Sequence, residues 1–209
     1  RFPAHRLVPG FALDLTVDDA DGTPWDFDHK SKREKAKMMV KEQRPRLLVL
    51  SPMCTAFSTW QKLNATRRDP NVVRREWIRA MLRLRFTMEL CQLQVEQGNY
   101  FLFEHPAYAE SWKQPCVQRM AAGETVGTTI GDQCQYGAKS TLPENLGQPI
   151  RKSTGWMSNC PEILRALSQR CKGRYGECSK PGGGQHAVCQ GRQTRHAQVY
   201  SEELCMTII

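Results

Sequence analysis

Short apolar runs alternate with longer stretches of helical periodicity from Phe11 to Ile130. Phe11-Ala12-Leu13-Asp14-Leu15, after the Pro9-Gly10 turn signal, reads as a buried strand ending at an acidic residue. From Lys30 to Gln43 good helix formers carry Ala36, Met39 and Val40 at helical spacing, and Pro45 stops that helix. Leu47-Leu48-Val49-Leu50, bounded by Pro45 and Pro52, suits a central parallel strand. A long helix is expected from Asp69 or Pro70 to Gln97, with Gly98 as its stop, followed by a strand Tyr100 to Phe103 that ends at Glu104. Ser111 then caps a helix through about Ala122, and a strand follows near Val126 to Ile130. Lys139 to Pro149 is loop-like, Pro161 to Cys171 has helical character, and Ser179 to Gln185 is a Gly-rich turn.

Strand, helix, strand, helix predicts an α/β fold with a Rossmann-like, mostly parallel sheet, helices on both faces and an irregular C-terminal tail. In such sheets sites form at the carboxyl ends of the strands, which is where Asp14, Cys54 and Glu104 fall. The expected division is a main domain over 1–160 with a helix and Gly/Cys-containing tail over 161–209 packed on it.

Charge adds a partner class. Thirty Lys and Arg against 21 Asp and Glu leave a formal charge of +9, which attracts polyanions and points to nucleic acid. The same excess also describes an ordinary basic solvated surface. Arg67, Arg68, Arg74 and Arg75 flank the start of the long helix, where they either contact phosphates or are simply solvated. No apolar run has the length of a membrane span and no signal-peptide pattern opens the chain, so an intracellular protein is expected, with a nuclear location open. Nine Cys, an odd number scattered along predicted elements, favour reduced thiols. The oligomeric state is not specified by these features.

Cys54 and Glu104 each follow a predicted strand, and a Cys with a carboxyl group is the minimum set for activating cytosine. A thiolate adds to C6 and an acid near N3 stabilises the product. Cys54 with His105 would alternatively make a hydrolase pair. The surrounding residues decide between them by resemblance. Ser51-Pro52-Met53-Cys54-Thr55-Ala56-Phe57-Ser58 resembles the Pro-Cys-x-x-Phe-Ser nucleophile loop of cytosine-C5 DNA methyltransferases, and Phe103-Glu104-His105-Pro106 resembles their Glu-Asn-Val motif. Gln135-Tyr136-Gly137 followed by Arg151-Lys152-Ser153-Thr154-Gly155-Trp156 is similar to the Tyr-Gly and basic strand segments of phage-type members. Met53 stands where the family has Pro, and His105 where it has Asn.

The resemblance spans Phe11 to Asn159 and implies methyl transfer from S-adenosylmethionine to C5 of cytosine, in DNA rather than RNA, with the base flipped. It implies Cys54 as nucleophile, Glu104 as acid, His105 in the loop-orienting place and Arg151 positioning the nucleophile loop. It further implies Asp14 at the cofactor ribose, Trp25, Asp26 and Phe27 at adenine, Phe57 at the methionine end, and Ser58 with the four arginines at nucleic acid. The Gly-rich first strand of the family should precede Phe11, so the chain reads as a fragment lacking part of the cofactor site. The layout, with Tyr200, Leu204 and Cys205 in the tail, also resembles methyltransferase-like segments of retrotransposon polyproteins in protists. The competing expectation is a non-catalytic nucleic-acid-binding or structural remnant of such a polyprotein. Cys171, Cys178, His186 and Cys189 have zinc-ligand chemistry, but their first two gaps, of six and seven residues, do not make a Cys-x-x-Cys knuckle, and no metal is expected from them.

Overall fold

Phe101, Leu102 and Phe103 expose no surface at all, so the strand that carries them is buried on both faces. In the computed structural model, which describes residues 8–58, 67–189, 191, 193–194 and 197–209, this strand is β2, Tyr100–Pro106. The elements run α1 (Lys30–Gln43), β1 (Leu47–Leu50), α2 (Pro70–Glu96), β2, α3 (Pro115–Ala121), β3 (Gly127–Asp132), β4 (Ser153–Ser158), α4 (Pro161–Ala166) and α5 (Glu202–Ile208). The chain is α/β with a four-stranded open mixed sheet in the order β1-β2-β4-β3. Among the described residues no helix is long and apolar enough to cross a membrane.

Contacts group the chain into two units. The first holds the residues up to Phe103 together with Tyr108–Val126; the second holds Glu104–Ala107 with Gly127–Ile209. The tail from 161 onward therefore belongs to the same unit as β3 and β4, and no contact boundary falls near 160.

In the first unit α1 has the expected span, and Arg44 in the left-handed region (φ 45°) closes it ahead of Pro45. Asp69 caps α2, its carboxylate accepting from the Asn71 N–H at 2.8 Å, with Pro70 at the first helical position. α2 buries Leu84, Phe86, Leu90 and Cys91, and Phe86 and Leu90 join Trp25, Ala36 and Val40 in one core. Gln94, also fully buried, donates to the Pro45 and Tyr100 carbonyls at 3.0 and 2.7 Å, tying α2 to the starts of β1 and β2. β1 and β2 are parallel as expected, with Leu50 opposite Phe103. β1, however, is the outermost in the order and Val49 is 44% exposed, so the central strand is β2.

Two other expectations change in the first unit. Phe11 to Leu15 is not a strand: Phe11 and Leu13 pack inward with strand-like alternation, but the segment pairs with no ladder and turns at Leu15 through an Asp14 side-chain bond to the Thr16 N–H. The helix expected from Ser111 is a short 3₁₀ turn, Glu110–Lys113, and α3 begins only at Pro115, which pre-sets the helical φ. The expectation about a strand preceding Phe11 touches residues 1–7, which lie outside the described residues.

In the second unit β3 and β4 are antiparallel, Asp132 opposite Ser153, so the sheet, which begins with the parallel β1–β2 pair, is mixed. The cause lies between them. A parallel return needs a helical crossover, whereas residues 133–152 hold only two 3₁₀ turns, Gln133–Tyr136 and Pro143–Asn145. Ala107 N–H meets the Ser153 carbonyl at 3.0 Å, placing the end of β2 beside β4. Gly131 is obligatory for packing, because a Cβ there would sit 2.2 Å from the Leu167 carbonyl oxygen.

Candidate functional site

The Cys54 loop leaves β1 at Leu50. Cys54, half-buried, caps a single 3₁₀ turn, Thr55–Phe57, by accepting from the Phe57 N–H at 3.0 Å. Phe57 is buried and meets Trp77 of α2 edge-on at 5.2 Å between ring centroids. This ring therefore anchors the loop to α2, and Phe57 is not among the residues lining the neighbouring cleft. Ser58 follows, half-buried, at the end of that turn.

Beside this loop, within the first unit, lies a cleft of about 160 Å³ lined by Leu13, Asp14, Trp25, Phe27, Leu50 and Met53 among others. Asp14, Trp25 and Phe27 thus line one cleft. Asp14 is exposed, and hydrogen bonds from the Thr16 hydroxyl (2.7 Å) and N–H (2.9 Å) hold its carboxyl below the usual carboxylate range. Trp25 also belongs to the core, with the Lys32 and Lys35 ammonium groups 5.3 and 5.4 Å from its ring centroid. Asp26 does not line the cleft: its carboxylate accepts from the Asp28 N–H at 2.9 Å and lies 3.5 Å from Arg83. Trp25 and Phe27 face inward one residue to either side, and that alternation turns Asp26 away from the cleft.

Arg83 was not legible as a site residue. It pairs with Asp28 at 2.9 Å, donates to the Met53 sulfur at 3.1 Å, and lines both the cleft and a second groove of about 460 Å³. That groove is walled by Met53, Thr55 and Ala56 on either side of Cys54 and by Arg68, Arg79 and Arg83. Arg68 is committed to Glu76 at 2.6 Å, a pairing that lowers the Glu76 carboxyl and raises Arg68, so it is not an idle phosphate ligand. Arg67, Arg74 and Arg75 are exposed.

In the second unit Glu104 lies inside β2, not beyond its end, and is 6% exposed, with His105 fully buried beside it. Lys152, which sequence reasoning passed over, brings its ammonium to 3.7 Å from Glu104 and also donates to the Ala197 carbonyl at 3.3 Å. Arg151 is drawn to a different partner. Its guanidinium is 3.8 Å from the buried Asp132 carboxylate and donates to the Cys171 carbonyl at 3.2 Å. Asp132 also accepts from Ser153, Arg170 and the Cys171 N–H. Burial works to raise its pKa, and the Ser153, Cys171 and Arg170 donors outweigh that and hold it low.

Cys171, Cys178 and His186 converge, joined by Cys134 from the turn after β3. Burial pushes the Cys134 thiol up to about 12. Burial opposes ionisation of Cys171 as well, but the Ser179 and Gly173 N–H groups overcome it and bring this thiol down to about 6. Cys189 stands apart, packed against Ile150, Ala187 and Ala197, where burial raises its thiol. Compared with known proteins, the chain matches no family model, no curated protein and no solved structure.

Proposed function

We propose that the chain is a cytosine-C5 methyltransferase-like domain acting on nucleic acid, DNA before RNA, with Cys54 as nucleophile. The observation that supports this reading is a register. Leu50 is opposite Phe103 in the parallel β1–β2 ladder, so the Cys54 loop and Glu104 each follow the last residue of that ladder, although β2 itself continues to Pro106. Carboxyl ends of parallel strands are where α/β folds collect their chemistry.

In this reading the Cys54 thiolate adds to C6 of a cytosine. The new S–C6 bond moves an electron pair toward C5, while Glu104 interacts with N3 and stabilises the adduct. After C5 is methylated, loss of its proton to a base expels the thiolate and restores the ring. The methyl group is supplied by S-adenosylmethionine when that cofactor is bound.

The cleft suits part of that cofactor. Trp25 and Phe27 offer aromatic walls for a purine and Asp14 a carboxylate for a ribose diol. At about 160 Å³ it lies below the roughly 300 Å³ at which small-molecule sites begin, so it is too small for the whole cofactor. Phosphates are served by the arginine-walled groove beside Cys54, with Arg79 and Arg83 added to the arginines read from sequence. That groove would equally serve a non-catalytic nucleic-acid-binding module, and the two readings part on chemistry alone. Incubating the chain with a methyl donor and cytosine-containing duplex, then measuring 5-methylcytosine by mass spectrometry, separates them: product that vanishes in Cys54→Ala supports the enzyme. Duplex binding without product, from a chain shown by calorimetry to bind S-adenosylmethionine, supports the binding module.

A further inference from the structure

The methyl-transfer reading leaves three cysteines and a histidine of the second unit unused. Cys134, Cys171, Cys178 and His186 each offer a ligand atom, and all four atoms lie within 4.8 Å of one another. The Cys171 and Cys178 sulfurs are 3.9 Å apart, and the Cys171 sulfur is 3.6 Å from His186 Nε2. Tetrahedral zinc, with Zn–S near 2.3 Å and Zn–N near 2.0–2.1 Å, requires S···S of about 3.8 Å and S···N of about 3.6 Å. Both separations are therefore those of ligands around one ion.

The groups behind the ligands are arranged for the same purpose. His186 Nδ1 is 2.7 Å from the Gly176 carbonyl, and since a carbonyl only accepts, Nδ1 carries the proton and Nε2 presents its lone pair toward the sulfurs. The Gln135 amide nitrogen is 3.5 Å from both the Cys134 and Cys178 sulfurs, and the Ser179 N–H is 3.4 Å from that of Cys171. Several N–H donors aimed at sulfur suit thiolates, which a cation must balance. The Cys171 N–H is fixed at 2.7 Å by the buried Asp132 carboxylate.

The turns around the cluster tolerate no side chain at two glycines. A Cβ on Gly173 would lie 1.8 Å from the Glu177 carbonyl oxygen, and one on Gly183 would lie 2.7 Å from the Cys178 Cβ. Loops drawn this tightly hold few apolar residues to stabilise them: residues 172–185 bury none of their side chains fully. Three sulfurs and an imidazole form a soft set that suits zinc, and four protein ligands leave no open position for catalysis.

We propose that Cys134, Cys171, Cys178 and His186 hold one zinc ion as a closed structural site, pinning the C-terminal segment to the turn after β3. Cys189, nearer in sequence to His186, is not a ligand. The site stands independently of the methyltransferase reading.

The test uses the full 209-residue chain, purified under reducing conditions without chelator. Elemental analysis should find one zinc per chain, and X-ray absorption at the zinc edge should show three sulfurs and one nitrogen. Cys189→Ser should keep full metal content, while Cys134→Ser and Cys171→Ser should lose it. Because ligand variants can misfold, the absorption spectrum of the unaltered chain and the Cys189→Ser content decide the matter without them. A folded unaltered chain that takes up no added zinc, a two-sulfur spectrum, or loss of metal in Cys189→Ser would each overturn the proposal.

Discussion

Removing the Asp132 carboxylate should cost more than its single charge suggests, because it is the acceptor for several donors at once. Its side chain is fully buried, with Ser153 Oγ at 2.5 Å, the Cys171 N–H at 2.7 Å and Arg170 Nε at 3.0 Å. In Asp132→Ala the Cys171 N–H loses its acceptor in the interior, at about 1–3 kcal/mol, and the Ser153 hydroxyl adds about 1 kcal/mol. Arg170 and Arg151 are 38% and 42% exposed at their side chains, so water replaces the carboxylate for them and each contributes little, well under 1 kcal/mol. The sum is about 3 kcal/mol. Asp132→Asn keeps one oxygen for Cys171 and Arg170, and the Ser153 hydroxyl can turn to accept from the new amide, so its cost should be about 1 kcal/mol. Urea denaturation of all three proteins in one zinc-containing buffer measures this, and Asp132→Ala should lower Tm by roughly 6–12 °C for a chain of this length.

The pH dependence of this effect has a definite sign. The folded pKa of Asp132 lies below its ordinary value of about 3.9, so its contribution is complete above about pH 4 and is lost as pH falls through the folded pKa. The gap between the unaltered chain and Asp132→Ala should therefore narrow below pH 4. An Asp132→Ala protein within about 0.5 kcal/mol of the parent, or a gap that widens in acid, would refute the reasoning.

Lys32→Met should release Asp19, whose carboxyl is held at about 2 chiefly by the Lys32 ammonium at 2.8 Å. Carboxyl NMR titration should show it rising toward about 3.9, and an Asp19 that stays near 2 contradicts the pairing. Leu84→Ala, at a fully buried position of α2, should destabilise by about 3–5 kcal/mol in chemical denaturation, and a loss under about 1 kcal/mol would show that α2 does not carry the first unit's core. Replacing Arg74, Arg75 and Arg79 by Ala should flatten the dependence of log affinity for duplex DNA on log salt by about 2–3. An unchanged slope removes this face of α2 from the nucleic-acid surface.

What the sequence disclosed followed from local rules. α1 ended where Pro45 forbade continuation, and α2 began where Asp69 and Pro70 could satisfy and pre-set its first turn. The β1–β2 pairing was legible because a long helix joins two short apolar runs, and a helical crossover makes them parallel. The antiparallel β3–β4 pair was not, since Lys139 to Pro149 looks like any loop until its ends are seen to meet. For the site, Asp14, Trp25 and Phe27 line one cleft, but Asp26, between Trp25 and Phe27, and Phe57, beside the Cys54 turn, face elsewhere. Sequence shows the residue type and not the direction of its side chain. Lys152 and Arg83 were missed because a cation's partner across the fold leaves no periodic trace. Cys134 was missed for a related reason: it stands 37 positions before Cys171, and only the antiparallel return brings the two together.

The most direct measurement of the central claim is covalent trapping at Cys54. The chain would be incubated with S-adenosylmethionine and a duplex carrying 5-fluorocytosine, whose fluorine cannot leave as a proton does, and the product digested and mapped by mass spectrometry. The account predicts a stable adduct on the peptide containing Cys54, absent in Cys54→Ala. Binding of both the duplex and S-adenosylmethionine by the unaltered chain with no adduct would contradict it and leave a nucleic-acid-binding module in its place.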